Sequence, residues 1–436
     1  MITSMSNDSN TRGGSLKMKS RRAFIKFAAL SSLASALPVL SCAATPFSGK
    51  FVVTLQAIGG WDVTCFCDPK ENQPGEATIT QWSKTDEAKS IGRIKYAPFA
   101  KNEAFFRKHA SKMLVINGVD TLTNAHSIGE TTSWSGRIAS GYPSITTLYS
   151  AAFAPDLPLS YITFGGYNQT ENLLRATQLG WSVSEIKSLL KPNSYQDGSM
   201  IDERLWSLIK TFHVNDIEST VKSSQITAGS KATRKDYITS LRAMDPLSKF
   251  SETLPDRFDW EQRTENGHLR QQVQFTIAAF KAGLSASADL YHGGFDSHGE
   301  NDAFQTVALN ELTDGIDFLW DAAEEAGIAD RLIVIIGSDF SRTPYYNSGY
   351  GKDHWSVGSY IIMEKGKGYT NRYIDGSDEG QNALKIDPNT LQRSGFGTKI
   401  LTSHVHGALR EHLGLANSAA ADVFPLKNTE RFNFFS

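Results

Sequence analysis

The chain has 436 residues, 40% of them hydrophobic and 21% charged, which is enough apolar material to bury a large core and excludes a fibrous or wholly disordered protein. Its 44 basic and 46 acidic residues give a net charge of −2, but Met1 to Cys42 hold six of the basic residues and a single acid, Asp8. The remainder has 38 basic residues against 45 acidic ones, a net −7 without Lys/Arg blocks, so nucleic acid is excluded as a partner and a small molecule or a protein is favoured.

The N-terminus carries paired arginines, Ser20-Arg21-Arg22-Ala23-Phe24-Ile25-Lys26, followed by a weakly apolar Ala/Ser/Leu run from Phe27 to Leu40. That run is short of the roughly 20 apolar residues needed to span a bilayer. The pattern is that of a twin-arginine signal over residues 1–44, which makes the export machinery a partner and the periplasm the destination. Cleavage near Ala43 or Ala44 is one expectation. Lipidation of Cys42 in Val39-Leu40-Ser41-Cys42, which would leave the protein membrane-anchored, is the other. The two further cysteines, Cys65 and Cys67, are too close for an easy mutual disulfide and are expected to pack as free thiols, with metal or redox chemistry the lesser reading.

Residues 45–436 read as one α/β domain. Phe51–Ile58, Met113–Ile116 and Arg331–Ile336 are continuous apolar runs that end in Gly59-Gly60-Trp61-Asp62, Asn117-Gly118 and Gly337-Ser338-Asp339. Runs of this length suit strands covered on both faces, and hence a mainly parallel sheet flanked by helices. Between about 167 and 266 the chain turns polar and helical, as a helical insertion would. His268 to Leu284 then reads as a helix feeding a strand over Ala286 to Tyr291. Phe304, Ala308, Leu312, Ile316, Leu319 and Ala323 follow helical spacing, with Asn301 or Asp302 as caps and Gly327 as the stop.

Acidic and histidine side chains follow these strands: Asp62, Asp296 with His298, Asp339, and Asp353 with His354. In an open parallel sheet the strand C-termini line one crevice, so residues distant in sequence converge there, and carboxylates with imidazoles suit a divalent ion such as zinc, manganese or calcium. Each also has a plainer reading. Asp62 shapes a turn, Asp296 and His298 cap a helix, Asp339 caps a loop, and Asp353-His354-Trp355 forms a surface loop with an aromatic anchor.

Gly59-Gly60-Trp61-Asp62, Phe295-Asp296-Ser297-His298, Gly337-Ser338-Asp339-Phe340-Ser341-Arg342-Thr343-Pro344 and Lys352-Asp353-His354-Trp355 resemble the signature segments of the bacterial family called domain of unknown function 1501. That family looks like a twin-arginine-exported branch of the alkaline phosphatase and sulfatase superfamily. The resemblance implies an alkaline-phosphatase-like sheet with Asp62 and Asp339 on one metal and Asp296, His298 and His354 on the other. Asp353 stands beside them as a candidate ligand, and Arg342 is expected to hold an anionic phosphate or sulfate ester, or else to form a surface salt bridge. The superfamily's nucleophile begins a helix that ends in Thr-Gly. Matching that end to Ser135-Gly136 puts His126 in the nucleophile's slot, with Ser127 adjacent and Thr121 and Thr123 nearby. His126 then serves as nucleophile, metal ligand, base or structural histidine. Phe340 stands where the superfamily has histidine, which favours a weak or empty first site. Ser403 to Gly414 resembles the closing helix, with His406 near its start, while His292, His404 and His412 are expected to pack or lie at the surface, His292 being near enough to Asp296 in sequence to support a ligand instead. The function implied is metal-dependent hydrolysis of a phosphate or sulfate ester, or, as the alternative, a non-catalytic metal-containing binding protein of an exported complex.

Overall fold

The computed structural model describes residues 47–179, 183–195, 198–222, 226–259, 267–426 and 430–436. The segment 1–44 and Cys42 lie outside these. Eight strands build the central sheet: β1 (Phe51–Ala57), β2 (Met113–Asp120), β3 (Tyr161–Thr163), β4 (Ala176–Gln178), β5 (Ser287–His292), β6 (Leu332–Ser338), β7 (Val357–Glu364) and β8 (Arg372–Ile374). Their order across the sheet is β8-β2-β7-β6-β1-β5-β3-β4. Only β7 runs against its neighbours β6 and β2; the other pairs are parallel. The α/β, mainly parallel architecture read from the continuous apolar runs is the one observed.

The helices are α1 (Asn102–His109), α2 (His126–Ser135), α3 (Ile145–Phe153), α4 (Val183–Leu190), α5 (Glu203–Val221), α6 (Ala228–Ser251), α7 (Gly267–Lys281), α8 (Asn301–Glu325), α9 (Thr402–His412) and α10 (Ala419–Val423). Within the polar stretch 167–266, α4, α5 and α6 do follow one another, but the stretch also contributes β4 to the sheet edge. A three-residue strand has too little length to show a period.

β1 is buried at every position because it lies between β6 and β5 with both faces covered. Its two polar side chains are satisfied inside: Thr54 donates to Asp289 at 2.6 Å and Gln56 donates to the Tyr167 carbonyl at 3.1 Å. In α8, Ala308, Leu312, Ile316, Leu319 and Ala323 face the core as their spacing requires, whereas Phe304 is 55% exposed and the neighbouring Asn301 and Gln305 are buried in its place. Truncating Leu312 to Ala would cost roughly 2–5 kcal/mol, as for other buried Leu. The expected caps are not used. Glu300, in the left-handed region at φ 47°, is the N-cap residue without a side-chain bond, because Asn301 is turned inward to donate to Asp62 at 2.9 Å. Gly327, at φ 72°, does follow the helix end.

At the end of β7 the buried Glu364 receives His412 at 2.8 Å, Lys50 at 3.1 Å and the Tyr369 hydroxyl. Burial works to raise this carboxyl, but the bonds from His412, Tyr369 and Lys50 bring it down to about 2. A carboxyl depressed on folding adds stability that is complete above its unfolded value near ~4.3 and is lost as pH falls through the folded value. Glu364→Gln should therefore flatten the acid limb: between pH 5 and pH 2, wild type should lose about 3 kcal/mol more stability than the variant, measured by urea unfolding.

Register places the site. Ala57 pairs with both Ser338 and His292, so β1, β6 and β5 end side by side, and the segments Gly59–Asp62, Asp339–Arg342 and Asp296–His298 leave from one edge. Ser341-Arg342 then pairs antiparallel with His354-Trp355, which brings the last histidine back over that edge.

Candidate metal centre

Three imidazoles point one nitrogen each towards a single carboxylate oxygen. The Nε2 atoms of His126, His298 and His354 lie 3.7, 3.2 and 3.7 Å from Asp296 Oδ1. Ligand atoms of His126, Asp296 and His354 all fall within 4.8 Å of one another. His298 adds a further nitrogen, 2.9 Å from that of His354.

Each ring is fixed from behind. His354 Nδ1 lies 2.7 Å from the Asn124 carbonyl, which can only accept, so Nδ1 carries the proton and Nε2 the lone pair. His298 Nδ1 donates to Asp353 at 2.9 Å and His126 Nδ1 donates to Asp339 at 2.5 Å. Two nitrogen lone pairs facing each other at 2.9 Å repel unless a cation or a proton lies between them. His126 Nε2 is buried and has no hydrogen-bond partner, the condition of a ligand atom rather than of a satisfied structural histidine. Three nitrogens and one oxygen in the neutral-imidazole, ionised-carboxylate state therefore fit a divalent cation of the zinc type better than calcium, which prefers oxygen.

Electrostatics favour that state at Asp296 and His354 and oppose it at His126, where a cation would have to displace a proton. Burial works to raise Asp296, but the hydrogen bond and charge of Arg342, with His126 and His298 behind them, hold its carboxyl below the usual range. Burial, and then the charge of Arg342, lower His354 despite its bond to Asn124. His126 is raised, chiefly by its bond to Asp339. Phe340 walls the pair, its ring centroid 4.6 Å from that of His126 and 4.5 Å from that of His354. Phe340, expected to mark a weak or empty site, thus packs against both histidines.

Asp339, expected as a ligand, is instead a positioning group. Its Oδ1 accepts from the backbone N–H of Gly60 at 2.7 Å and of Gly59 at 3.3 Å, and its Oδ2 holds His126. Gly59, at φ 111°, permits this: a Cβ there would meet the Asp296 nitrogen at 2.7 Å. Asp353 likewise orients His298 and is not in the converging set, because its carboxylate lies behind the ring. Removing such an outer partner weakens metal binding by about 10–100-fold. Asp339→Asn should show a loss of that size for zinc in a competition assay with a chromophoric chelator, with the fold intact by circular dichroism.

Asp62 does not join the cluster. It is fully buried against Lys352, whose Nζ lies 2.8 Å away, and it also accepts from Thr64 and Asn301. The ammonium of Lys352, 3.0 Å from Thr64 and 4.9 Å from the Tyr346 ring, supplies the positive charge that a second cation was expected to bring. Arg342 corrects a further expectation. Its guanidinium is wholly buried and donates to the Gly60 and Lys352 carbonyls at 2.8 and 3.1 Å, to the Gly59 carbonyl, and to Asp296 at 2.8 Å. It braces Asp296 and is neither an open anion clamp nor a surface bridge.

His126 begins α2 and Gly136, at φ 77°, ends it, as the matching of Ser135-Gly136 implied. Gly129 lets this helix approach, since a Cβ there would meet the Asp339 carbonyl at 2.5 Å. Ala125 gives the helix no side-chain cap. Ser127 is exposed in its first turn, while the Thr121 hydroxyl is taken by the Thr123 and Ser356 carbonyls and that of Thr123 accepts from Ala125. His406 is buried 2.9 Å from the Ser133 carbonyl, His292 faces Glu311, His404 bonds the Leu401 N–H, and His412 serves Glu364. Cys65 and Cys67 are buried free thiols whose burial pushes their pKa values up, which disfavours the reactive thiolate.

Sequence reasoning missed two elements of this centre. Lys352 was visible inside the Lys-Asp-His-Trp segment, and a lone basic residue before two candidate ligands was the available signal. The Asn124 carbonyl has no side-chain signature at all.

The family model DUF1501, described as a protein of unknown function, matches residues 222–367. That span contains Asp296, His298, Asp339, Asp353 and His354, and not His126 or Asp62. No curated protein matches the chain. Among solved structures, the chain is similar to Ps i-CgsB at 7% identity, covering 88% of this chain and 75% of that one with a TM-score of 0.42. It is also similar to the lipoteichoic acid synthase LtaP from Listeria monocytogenes (10% identity, 89% and 75% covered, TM-score 0.35). A third is the alkaline phosphatase of the Antarctic bacterium TAB5 (11% identity, 74% and 94% covered, TM-score 0.32).

Proposed function

We propose that this chain is a metal-dependent hydrolase of a phosphate or sulfate ester, using one divalent cation, zinc by the chemistry of its donors, held by His126, His298, His354 and Asp296. The observation that carries this reading is the openness of a cluster otherwise built for a cation. The side chains of Asp296 and His298 are 53% and 50% exposed. Structural zinc sites are closed by four protein ligands and shielded from solvent, whereas this four-donor set is open on the Asp296–His298 side, where water or substrate would have to enter as a fifth ligand. That contrast favours the hydrolase over a purely structural metal protein.

When bound there, a divalent cation supplies a Lewis acid and lowers the pKa of a water molecule. The chain's own residues do the rest. Arg342 keeps Asp296 ionised, and Asp339, Asp353 and Asn124 hold the three rings with Nε2 outward. The α2 N-terminus, uncapped beside His126, offers backbone N–H groups and the positive end of its dipole to an anionic ester. Ser127 stands in that turn with no base bonded to it, since His126 Nδ1 is committed to Asp339. Water is the nucleophile on this reading, and Ser127→Ala should retain turnover within about ten-fold, well short of the ~10²–10⁴-fold that losing a general acid or base costs.

The test is a screen of aryl phosphates and aryl sulfates with the zinc-loaded protein beside His354→Ala. Turnover that disappears in the variant supports the hydrolase; a metal-bound protein with no turnover of any ester would overturn it. We propose in addition that Ser20–Lys26 directs twin-arginine export to the periplasm. Replacing Arg21 and Arg22 by lysine should leave the protein in the cytoplasmic fraction, and unchanged export would refute the signal.

A further inference from the structure

Of the three imidazoles, His298 is held differently from the other two. His126 and His354 pack against the Phe340 ring, whereas the His298 side chain is 50% exposed on the open side of the cluster, its ring 4.7 Å from that of His354. The compact trio of ligand atoms comprises His126, Asp296 and His354 without it. Packing that is this thin leaves the two side-chain torsions of a histidine to be set by hydrogen bonds.

Those bonds meet at Asn347. Its Oδ1 accepts from the backbone N–H groups of Gly349 and Gly351 at 2.9 and 3.0 Å, while its Nδ2 donates to the His298 carbonyl at 3.0 Å and to Asp353 Oδ1 at 3.4 Å. The N–H groups can only donate and the carbonyl can only accept, so the amide has one orientation. Asp353 Oδ1 is the same atom that receives His298 Nδ1 at 2.9 Å. A closed ring of bonds therefore runs from the His298 carbonyl through Asn347 and Asp353 back to the His298 imidazole. It ties the main chain and the ring of one residue to each other, which fixes the direction of Nε2.

The backbone is shaped to bring Asn347 to this place. Glu300 and Asn301 donate to the Gly349 and Tyr350 carbonyls at 3.1 and 2.9 Å, and Lys352 donates to the Ser297 carbonyl at 3.0 Å, so the loop is laced to the chain on both sides of His298. Gly351 comes so close that a Cβ there would meet the His298 carbonyl oxygen at 1.9 Å.

Resting on the metal reading, we propose that Asn347 is the positioning residue that makes His298 the fourth ligand. Asn347 acts through His298 and Asp353 rather than on the cation or the ester. Without its tie the His298 ring is free to turn into solvent, and the cation keeps three protein donors.

Asn347→Asp isolates the tie, because it keeps an oxygen for the Gly349 and Gly351 N–H groups and replaces the Nδ2 donor by an acceptor. Zinc affinity of the full-length variant, measured by competition with a chromophoric chelator, should fall by about 10–100-fold, as for other outer partners. In a His298→Ala background the same change should alter affinity by less than about two-fold, since the ligand through which Asn347 acts is gone. The visible absorption spectrum of cobalt-loaded Asn347→Asp should match that of cobalt-loaded His298→Ala and differ from that of wild type. Equal losses of zinc affinity in the two backgrounds would reveal a general loosening of the loop and overturn the assignment. Wild-type affinity with a wild-type cobalt spectrum in Asn347→Asp overturns it too, and leaves the metal reading standing. A wild-type protein that binds neither zinc nor cobalt removes the metal reading, and this inference with it.

Discussion

His126→Ala, His354→Ala and Asp296→Ala should each weaken zinc binding by more than about 100-fold, beyond the 10–100-fold that outer partners contribute. Wild type should bind one equivalent per chain. The reasoning is geometric: each variant removes one donor from a set whose nitrogens lie 3.2 to 3.7 Å from a single oxygen, and the carboxylates of Asp339 and Asp353 beside it are already engaged. Asp339 is consumed by two backbone N–H groups and His126, and Asp353 by His298. Asp62→Asn, measured on the folded fraction, should keep a stoichiometry of one. A two-cation arrangement through Asp62 predicts the loss of one of two equivalents, so inductively coupled plasma mass spectrometry of the dialysed proteins separates the schemes.

Lys352→Met should be the most destabilising single change near the site, at about 3–5 kcal/mol, because it strands a buried carboxylate. Lys352 and Asp62 are both fully buried and 2.8 Å apart. Burial is the largest influence on Asp62 and raises it, but the charge and hydrogen bond of Lys352, with Thr64 and Asn301, bring it below its ordinary value. The pair therefore contributes stability above the unfolded carboxyl value near ~3.9 and loses it as pH falls below that. The double variant Asp62→Asn/Lys352→Met should recover much of the loss, since it removes both charges. Chemical denaturation of the two single variants and the double variant measures the coupling. A Lys352→Met protein as stable as wild type would show that Asp62 has another counter-charge.

The strands β1, β2 and β6 were legible because they are covered on both faces and so read as mainly apolar runs, whereas β5 was legible from the helix that feeds it. β7 was not. Gly358 and Ser359 interrupt its pattern where its pairing with β2 shifts register, and nothing in a residue pattern declares that it runs antiparallel. The short strands β3, β4 and β8 carry no period at three residues each. At the site, the residue types were legible and their division of labour was not. Asp296 and Asp339 look alike after their strands, yet one faces the three imidazoles and the other is enclosed by the Gly59-Gly60 turn. That difference arises from which backbone N–H groups the fold brings to each carboxylate. Asp62 and Lys352 are 290 positions apart in the chain, so their pairing exists only once β1 and the Ser341-Arg342 ladder are assembled.

Anomalous X-ray scattering at the zinc edge, from crystals of the zinc-loaded protein, addresses the claim on which the account depends. One peak within about 2.0–2.2 Å of the Nε2 atoms of His126, His298 and His354 and of an Asp296 oxygen is the predicted result. A peak against Asp62, or two peaks sharing Asp339, would contradict it.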